Sequence, residues 1–492
     1  DNVGLYAGNS LKRWDDINGT SNLANWRKTK KTESGITNKG IVDIWGGSKG
    51  VNNGVIGLLV KFGELKNTDN KAIVAVDHGI AMMATDGSTI ENKGGAKVIA
   101  SGMFTATATG TNSKSAETKA TGENYGIVGI SDTGYGFNGT DNSVSINHED
   151  SSIYAAGDLA VGIYAGNKGT GKDKVTINYK NSSAGTTGID VRNNKANDDS
   201  RGVGIALVNR EGTNGGTITL DGGGTLGNFA NDATVTASTG TPALTLVLGG
   251  NDIATGNNGI GIYAEDSTIT VKSDTFTVET KDNGVGLWGM DNTLVADNAQ
   301  DANGYSAHNK IFQYNYNGGM KKNGFAMAFG AKHGGTSKNY MDIKFNNQGS
   351  SAGTTIVDLQ NAATRTKGTE AGIVGILVNT NNGTDKVYNY GKIEEEDTTS
   401  KTSLRAYGAL VNKGTFINYG DIKLANSLNP DFAKNVTTAD MDKVNVGIRA
   451  NGLSDDGTTG GINTTIENHG DITIGTADST DPAHRTNIGS WA

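Results

Sequence analysis

The chain of 492 residues contains no cysteine and only 3 prolines, although it contains 73 glycines. The absence of cysteine excludes disulfide bonds, thiolate zinc sites and cysteine nucleophiles. A disordered linker composition is usually rich in both glycine and proline, so the glycine here does not indicate one. We therefore expect the glycines to serve an ordered structure.

Long hydrophobic runs are also lacking. Hydrophobic residues make up 35% of the chain, but no run approaches the roughly 18 residues of a membrane span. The first ten residues, DNVGLYAGNS, have neither the basic start nor the apolar centre of a secretory signal. The net charge of −8 gives no basic field, so nucleic acid is not an expected partner. These features predict a soluble piece of a mature protein, cut from something longer.

Two stretches of the sequence are near copies of each other. GIGIYAEDSTITV at 259–271 and GVGLWGMDNTLVA at 284–296 place glycine, aspartate and threonine in the same slots, 25 residues apart. A structural unit that stacks on itself needs such copies, whereas a catalytic motif rarely does. Related phrases are GLYAGN at 4–9, GIAMMATDGSTI at 79–90, GIYAGN at 162–167, GVGIALVN at 202–209, GIVGILVN at 372–379 and GIRANG at 447–452.

A second phrase, with the core apolar-x-Asn-x-Gly, accompanies the first. Its copies are ITNKGIVDI at 36–44, IENKGGAKVI at 90–99, VYNYGKIEE at 387–395, FINYGDIKL at 416–424 and IENHGDITI at 466–474. Stacked copies would place the asparagines in an amide ladder. Glycine adopts positive φ without steric cost, so the glycines are expected at tight corners. The ladder residues are Asn38, Asn92, Asn389, Asn418 and Asn468, and the corner residues are Gly40, Gly94, Gly391, Gly420 and Gly470.

The alternation within each phrase is typical of a β-strand. Ile260 and Ile262 alternate with Gly261 and Tyr263, which is a period of two and not the 3.6 of a helix. Repetition every 20 to 50 residues without helical patterns predicts a β-solenoid. We expect an all-β fold, a parallel and right-handed β-helix, with residues 1–492 forming one continuous segment. At a rung spacing of about 4.8 Å, about 20 coils would form a rod of about 100 Å.

Binding sites of solenoids often lie where the repeat fails. The largest break is 297–323, an insertion rich in aromatic residues. Exposed aromatic side chains beside amides can anchor a protein or a sugar. The alternative is that Ile311, Phe312 and Tyr314 form a further strand, with Tyr316 at its edge. The candidate ligand-binding residues of this break are Tyr305, Phe312, Gln313, Tyr314 and Tyr316.

Two other segments interrupt the pattern. Residues 11–31 form a basic loop insertion in which Trp14 and Trp26 flank lysines and arginines, and both tryptophans are candidate ligand-binding residues. A solvated charged loop is the alternative interpretation. Residues 105–124 are rich in serine and threonine and are interpreted as a flexible loop.

The sequence offers only weak catalytic candidates. Parallel β-helices include polysaccharide lyases and hydrolases, whose chemistry needs converging carboxylates. The nearest approximations are Asp198 and Asp199 with Arg201, and the run His148, Glu149 and Asp150. Neither group recurs with supporting residues, and no GxSxG or HExxH motif is present. We expect a protein that is not an enzyme and that needs no cofactor or metal.

The repeated phrases resemble a known family. Phrases of the form G-[IV]-G-[IL]-[YW]-[AG] with D-[SN]-T-[IL], alternating with N-x-G-x-I, are similar to the passenger domains of the fusobacterial type V autotransporter adhesins, some of which bind galactose. The resemblance covers nearly the whole chain but rests on scaffold motifs, so it transfers no binding residue. A signal peptide and a translocating barrel are missing from the sequence, so only part of a passenger is expected.

The resemblance implies a surface adhesin outside the bacterial outer membrane. Such a segment would attach to partner bacteria or to a receptor or glycan of a host cell. The outer-membrane barrel of the parent protein would be its covalent neighbour. A galactoside-binding lectin module and a passive stalk remain alternatives, and a polysaccharide lyase or hydrolase is a weaker one.

Overall fold

The structure is a computed structural model of the chain. It describes residues 2–8, 35–44, 55–76, 78–101, 104–106, 114–116, 123–131, 142–157, 159–167, 174–182, 186–192, 201–209, 215–224, 234–238, 241–246, 248, 250–297, 310–317, 323–346, 372–380, 384–396, 405–424, 445–450, 464–474 and 488–491. These residues form strands and turns and no helix, which confirms the expected all-β class.

The chain divides into two compact units. The first comprises 1–256 and 263–273, and the second comprises 257–262 and 274–492. Each unit is a solenoid-like stack of coils in which a coil supplies up to three strands in succession, here called its first, second and third strands. Like strands of successive coils pair in parallel, as a stacked repeat requires.

The strands of the first unit follow that order. Its first strands are Asn2–Gly8, Val55–Lys61, Gly79–Thr85, Glu123–Ser131, Leu159–Asn167 and Val203–Asn209. Its second strands are Gly35–Asn38, Glu64–Thr68, Thr89–Lys93, Val144–Glu149, Val175–Lys180, Gly216–Asp221 and Ser267–Val271. Its third strands are Ile41–Ile44, Ile73–Val76, Lys97–Ser101, Ser152–Ala156, Gly188–Val191 and Ile253–Thr255.

The second unit repeats the order with longer interruptions. Its first strands are Val285–Met290, Gly324–Gly330, Gly372–Asn379, Arg405–Asn418, Val446–Ala450 and Ile488–Trp491; Arg405–Asn418 also supplies the second strand of its coil. Its other second strands are Leu294–Asp297, Thr336–Asn339, Lys386–Asn389 and Thr464–Asn468. Its third strands are Thr275–Thr280, Ile311–Tyr316, Asp342–Asn346, Ile393–Glu395, Ile422–Leu424 and Ile472–Ile474. Strand Ile260–Glu265 is divided between the units.

From the coil at 55–76 onwards, the coils of the first unit bury apolar residues from all three strands in register. The column of the first strands contains Leu58, Met82, Ile127, Ile163 and Ile205, all fully buried. The second and third strands add columns of the same kind, such as Ile90, Ile146 and Ile177, and Val98, Ile153 and Ile189. The core therefore consists of a few columns of apolar side chains that run from coil to coil, which is why the sequence shows short alternating runs.

The glycine that precedes the buried residue in the middle of each first strand, such as Gly162 before Ile163 and Gly408 before Ala409, is explained by this narrow core. A Cβ atom on Gly162 would lie 2.4 Å from Cγ2 of Ile189 on the third strand and 2.6 Å from the carbonyl oxygen of Gly204. In the second unit, a Cβ atom on Gly408 would lie 2.4 Å from Cγ2 of Ile422. Any larger residue would push the first strand away from the third, so close approach selects glycine here.

The asparagine ladder is confirmed, and each unit has its own. In the first unit, Nδ2 of Asn38 donates to Oδ1 of Asn67 at 2.9 Å, and Asn67 donates to Asn92 at 2.9 Å. The second unit continues the pattern over four coils, with distances of 2.7–2.8 Å. Its members are Asn339, Asn389, Asn418 and Asn468.

The expectation that the glycines after the ladder need positive φ is mostly wrong. Among the five, only Gly94 has positive φ, at 69°. Gly391, Gly420 and Gly470 are required by close approach: a Cβ atom on Gly420, for example, would lie 1.8 Å from the carbonyl oxygen of Gly391. The left-handed conformation occurs instead at aspartates between first and second strands, at Asp86, Asp266 and Asp291, since aspartate tolerates it better than most residues.

A hairpin outside the coils is an element that the repeat pattern does not indicate. Strands Thr234–Ser238 and Thr241–Thr245 pair antiparallel. Leu244 of the second hairpin strand and the following Leu246 and Leu248 join a buried cluster with Ile99 and Tyr154 of the third strands. A second antiparallel pair, Phe104–Ala106 with Lys114–Ala116, lies partly in the predicted 105–124 loop. The 11–31 insertion and most of 105–124 lie outside the described residues.

Candidate functional site

Four of the predicted binding residues lie inside the fold. Phe312, Gln313, Tyr314 and Tyr316 belong to the third strand Ile311–Tyr316, and all four are fully buried. The structure contradicts their interpretation as exposed binding residues, because a side chain without solvent access cannot reach a partner. The alternative of a further strand is confirmed, with Tyr316 buried and not at an exposed edge. Tyr305, Trp14 and Trp26 lie outside the described residues and stay predictions.

The buried tyrosines hold a corner of the second unit. The Tyr314 hydroxyl lies 2.7 Å from Oγ1 of Thr280 and donates to the carbonyl oxygen of Gly284 at 3.1 Å. The Tyr316 hydroxyl donates to Oδ1 of Asp282 at 3.4 Å. Burial raises the pKa of both phenols, and the Asp282 charge adds to the rise in the pKa of Tyr316. Both residues therefore stay neutral hydrogen-bond donors that pin residues 280–284.

A different aromatic group lies on the outside of the second unit. The residue after each ladder asparagine is Tyr340, Tyr390, Tyr419 or His469, and these four rings stack on one another. The centroids of Tyr340 and Tyr390 are 4.6 Å apart, those of Tyr390 and Tyr419 are 5.1 Å apart, and those of Tyr419 and His469 are 4.6 Å apart. We call these four residues the tyrosine column.

The rings of the tyrosine column are parallel and become more exposed along the chain. Successive planes differ by 4° to 10°. Tyr419 is 41% exposed, and it is the most exposed tyrosine of the second unit among the described residues. Tyr388 widens the surface, with its ring 6.1 Å from that of Tyr390. The column therefore consists of two half-buried rings, Tyr340 and Tyr390, and two exposed ones, Tyr419 and His469, at the spacing of the coils.

The geometry restricts what this surface can hold. Carbon atoms in contact are about 3.5–4.0 Å apart, so a sugar ring inserted between two aromatic rings needs about twice that distance. The spacing of 4.6–5.1 Å leaves no such room within the column. A ligand must therefore contact ring edges and hydroxyl groups, or the outer face of a ring at the end of the column.

The first unit carries charges at the corresponding positions. Lys93 follows Asn92 of the ladder. Glu149 and Lys180 lie in register with Lys93 on the next two coils. Nζ of Lys180 lies 2.7 Å from Oε1 of Glu149, and Nζ of Lys93 lies 3.9 Å from Oε2. The aromatic surface is thus specific to the second unit. The sequence signal of this surface is the dipeptide Asn-Tyr or Asn-His at 339–340, 389–390, 418–419 and 468–469, which lies within the repeat and not at an interruption of it.

The His148 candidate for acid–base chemistry is not accessible. Its ring is buried and stacks on that of Tyr179, with the ring centroids 5.4 Å apart. Nδ1 of His148 lies 3.1 Å from Nδ2 of Asn92. Burial lowers its pKa to about 4. The residue therefore occupies a ladder position as a neutral ring. Asp198 and Asp199 lie outside the described residues.

The first unit also buries an ion pair. The Arg192 guanidinium donates from Nε to Oδ1 of Asp190 at 3.0 Å and from its terminal nitrogen to Oδ2 at 2.6 Å, and both side chains are buried. A bidentate pair satisfies both charges within one strand and its following turn. Over the described part of the chain, no group of three or more acidic or histidine side chains is placed to hold a metal ion.

Comparison with known proteins identifies no relative, since no family model, curated protein or solved structure matches this chain. Among the residues described, no helix is long and apolar enough to cross a membrane.

Proposed function

We propose that the chain is a non-catalytic segment of a bacterial surface adhesin. Its coils would wind as a right-handed parallel β-helix, and the lateral surface of the second unit would contact a receptor. The tyrosine column is the observation that carries this proposal. Tyrosine edges and hydroxyls exposed on a rigid scaffold are a common basis of protein contacts, because a tyrosine loses little side-chain entropy on binding.

The rigidity of the scaffold supports the proposal. The backbones beneath Tyr390 and Tyr419 are joined by parallel pairing, and their neighbouring asparagines are joined by a 2.7 Å hydrogen bond. The rings are therefore ordered before a partner arrives, which reduces the entropic cost of binding. The resemblance of the repeated phrases to adhesin passenger domains points to the same role.

Contact with a protein receptor is favoured over stacking on galactosides. A lectin usually stacks the apolar face of galactose on an aromatic ring, and the inner ring faces of the column already contact each other. A host cell or partner bacterium is the expected bearer of the receptor. The passive stalk is the second candidate, because the same stacking also stabilises coils without any ligand.

Binding of the purified chain to host cells and to other bacteria tests the proposal. We expect the double change Tyr390→Ser with Tyr419→Ser to weaken cell binding by at least about tenfold, the size typical of losing a central aromatic contact. Lys180→Ser, at the same position of a coil in the first unit, is the matched control and should leave binding unchanged. Excess galactose should not compete.

Three outcomes contradict parts of the proposal. Competition by galactose would favour the lectin. Undiminished cell binding by the double variant would remove the tyrosine column as the contact surface. No binding by the unmodified chain to any cell type would favour the passive stalk.

A further inference from the structure

The tyrosine column places phenol rings of consecutive coils against each other. The rings of Tyr340 and Tyr390 differ by 10° in plane, with their centroids 4.6 Å apart. Those of Tyr390 and Tyr419 differ by 4°, with their centroids 5.1 Å apart. Carbon atoms in van der Waals contact are about 3.5–4.0 Å apart. Each pair is therefore close to contact, and one phenol faces another across the boundary between two coils.

The backbone holds both pairs of phenols in place. The amide of Tyr390 donates to the carbonyl oxygen of Asn339 at 2.8 Å, and the amide of Tyr419 donates to that of Asn389 at 2.7 Å. The side chains of the asparagine ladder join the same coils, at 2.7–2.8 Å. The phenols are therefore brought together by the fold, and a reaction between them needs no further loss of translational freedom.

Tyr388 lies on the same strand but in a different column. Its ring is 6.1 Å from that of Tyr390, which follows it by two residues. The residues in register with Tyr388 on the adjacent coils are Lys338 and Ile417. Tyr390 thus has a phenol beside it on both adjacent coils, whereas Tyr388 has none in register on either. This difference makes Tyr388 a matched comparison for Tyr390.

A small oxidant can reach the column. Tyr419 is 41% exposed, and Tyr340 and Tyr390 are half-buried. The chain has no cysteine, so no thiol of its own competes for the oxidant. An electron removed from Tyr419 leaves a phenoxyl radical directly beside the ring of Tyr390.

We propose that the tyrosine column is a site of oxidative cross-linking, at which Tyr390 becomes joined to Tyr419 or to Tyr340 by a carbon–carbon bond. The oxidant is of the class of a haem peroxidase with hydrogen peroxide. Each of two neighbouring phenols gives up one electron and its phenolic proton, and the two radicals bond through ring carbons ortho to the hydroxyls. Those two carbons then lose their hydrogens as protons, while the two phenol oxygens regain protons. Overall, two electrons and two protons reduce one hydrogen peroxide to two waters.

The product is a covalent link between consecutive coils of a chain that has no disulfide. Tyr390 and Tyr419 directly follow the ladder residues Asn389 and Asn418. The link therefore spans the same corner that the amide hydrogen bonds hold, and a cross-link restricts the chain between its ends. This role concerns the cohesion of the second unit and is independent of any receptor.

Oxidation of the purified chain by a peroxidase with hydrogen peroxide, followed by trypsin and mass spectrometry, tests the proposal. Cleavage after lysine separates the three tyrosines into the peptides 339–344, 387–392 and 414–423. We expect 387–392 joined to 414–423 or to 339–344 in the monomer fraction, with two hydrogens missing from the combined mass. Oxidised tyrosines without any joined peptide from the folded chain would overturn the proposal.

Comparison with the unfolded chain shows whether the fold positions the phenols. A ruthenium tris-bipyridyl complex with persulfate and light oxidises phenols by the same one-electron step and also acts in urea. The yield of the two joined products should be at least about tenfold lower in urea, because the rings then meet only by chance. Equal yields from the folded and the unfolded chain would refute the role of the column.

Two phenylalanine variants identify the reacting residue. Tyr390→Phe keeps a ring in the column but forms no phenoxyl radical, and it should lower both joined products by at least about tenfold. Tyr388→Phe alters the same tryptic peptide and should leave both yields unchanged. Joined products that persist in Tyr390→Phe, or that disappear in Tyr388→Phe, would contradict the assignment. Circular dichroism of both variants checks that they are folded.

Hydrogen exchange measures the effect of the link on the coils. Exchange of residues 386–396 should be at least about tenfold slower in the cross-linked monomer than in Tyr390→Phe treated with the same oxidant. Equal exchange in the two samples would refute the restraint of the coils by the link.

Discussion

Replacing Asn389 by alanine should open the second unit locally, because this residue lies in the middle of its ladder. Its Nδ2 donates to the carbonyl oxygen of Gly391 at 2.7 Å and to Oδ1 of Asn418 at 2.7 Å, and its Oδ1 accepts from Asn339 at 2.8 Å. The side chain is fully buried. The change therefore removes three hydrogen bonds. The partner atoms stay buried, where water cannot replace the lost bonds.

The free energy needed to open this coil should fall by about 3 kcal/mol, because each hydrogen bond makes a net contribution of about 1 kcal/mol. Coils of a stacked repeat can open locally before the whole chain unfolds, so hydrogen exchange reports the opening of this coil more directly than an unfolding midpoint does. Hydrogen exchange of a peptide covering 386–396 is the appropriate assay. Exchange by local opening should be about 100-fold faster than in the unmodified chain, since each 1.4 kcal/mol corresponds to a factor of ten.

Asn468→Ala is the matched control for this prediction. Asn468 occupies the same column but is exposed at the end of the ladder, where water can replace its hydrogen bonds. Its removal should cost less than about 1 kcal/mol. Our reasoning is that the coils are held together by buried amide hydrogen bonds and not merely by the presence of asparagine. It would be refuted if each substitution accelerated the hydrogen exchange of its own coil to the same extent.

Three further predictions concern the first unit. Gly162→Ala should lower its urea midpoint by the equivalent of at least about 2 kcal/mol through overpacking against Ile189, and an unchanged midpoint would show that the strands can separate freely. The pKa of His148 falls to about 4 on folding, so its contribution to stability is complete above about pH 6.5 and is lost as the pH falls towards 4, by up to about 3 kcal/mol. His148→Asn replaces the ring by an amide that does not titrate, and it should flatten that pH dependence. An unaltered profile would exclude His148 as its source. Arg192→Met should destabilise the unit by about 3–5 kcal/mol because Asp190 is left buried and uncompensated, whereas a double change of Asp190→Leu with Arg192→Met should restore much of the loss in the same unfolding assay.

Much of the local structure can be predicted from the sequence. The two-residue alternation around Ile260, and the repetition of Asn at 389, 418 and 468, are sufficient to predict stacked parallel strands with an amide ladder. The reason is that each coil makes nearly the same contacts with the next, so one column of the structure appears in the sequence as one recurring residue type. The burial of Phe312 and Tyr314 could not be predicted, since an interruption of the repeat does not show which aromatic side chains the coil covers.

The sequence alone thus determined the strand period, the repeat and the ladder of asparagines, because these depend on contacts between equivalent residues. Only the tertiary structure decided which aromatic side chains reach solvent. Tyr314 and Tyr390 both lie in or beside short strands flanked by polar residues, yet Tyr314 points into the core and bonds Thr280, whereas Tyr390 stacks outside between Tyr340 and Tyr419. The alternation of residues along a strand defines two faces but does not indicate which face is buried. The packing of the other strands of the coil determines the buried face.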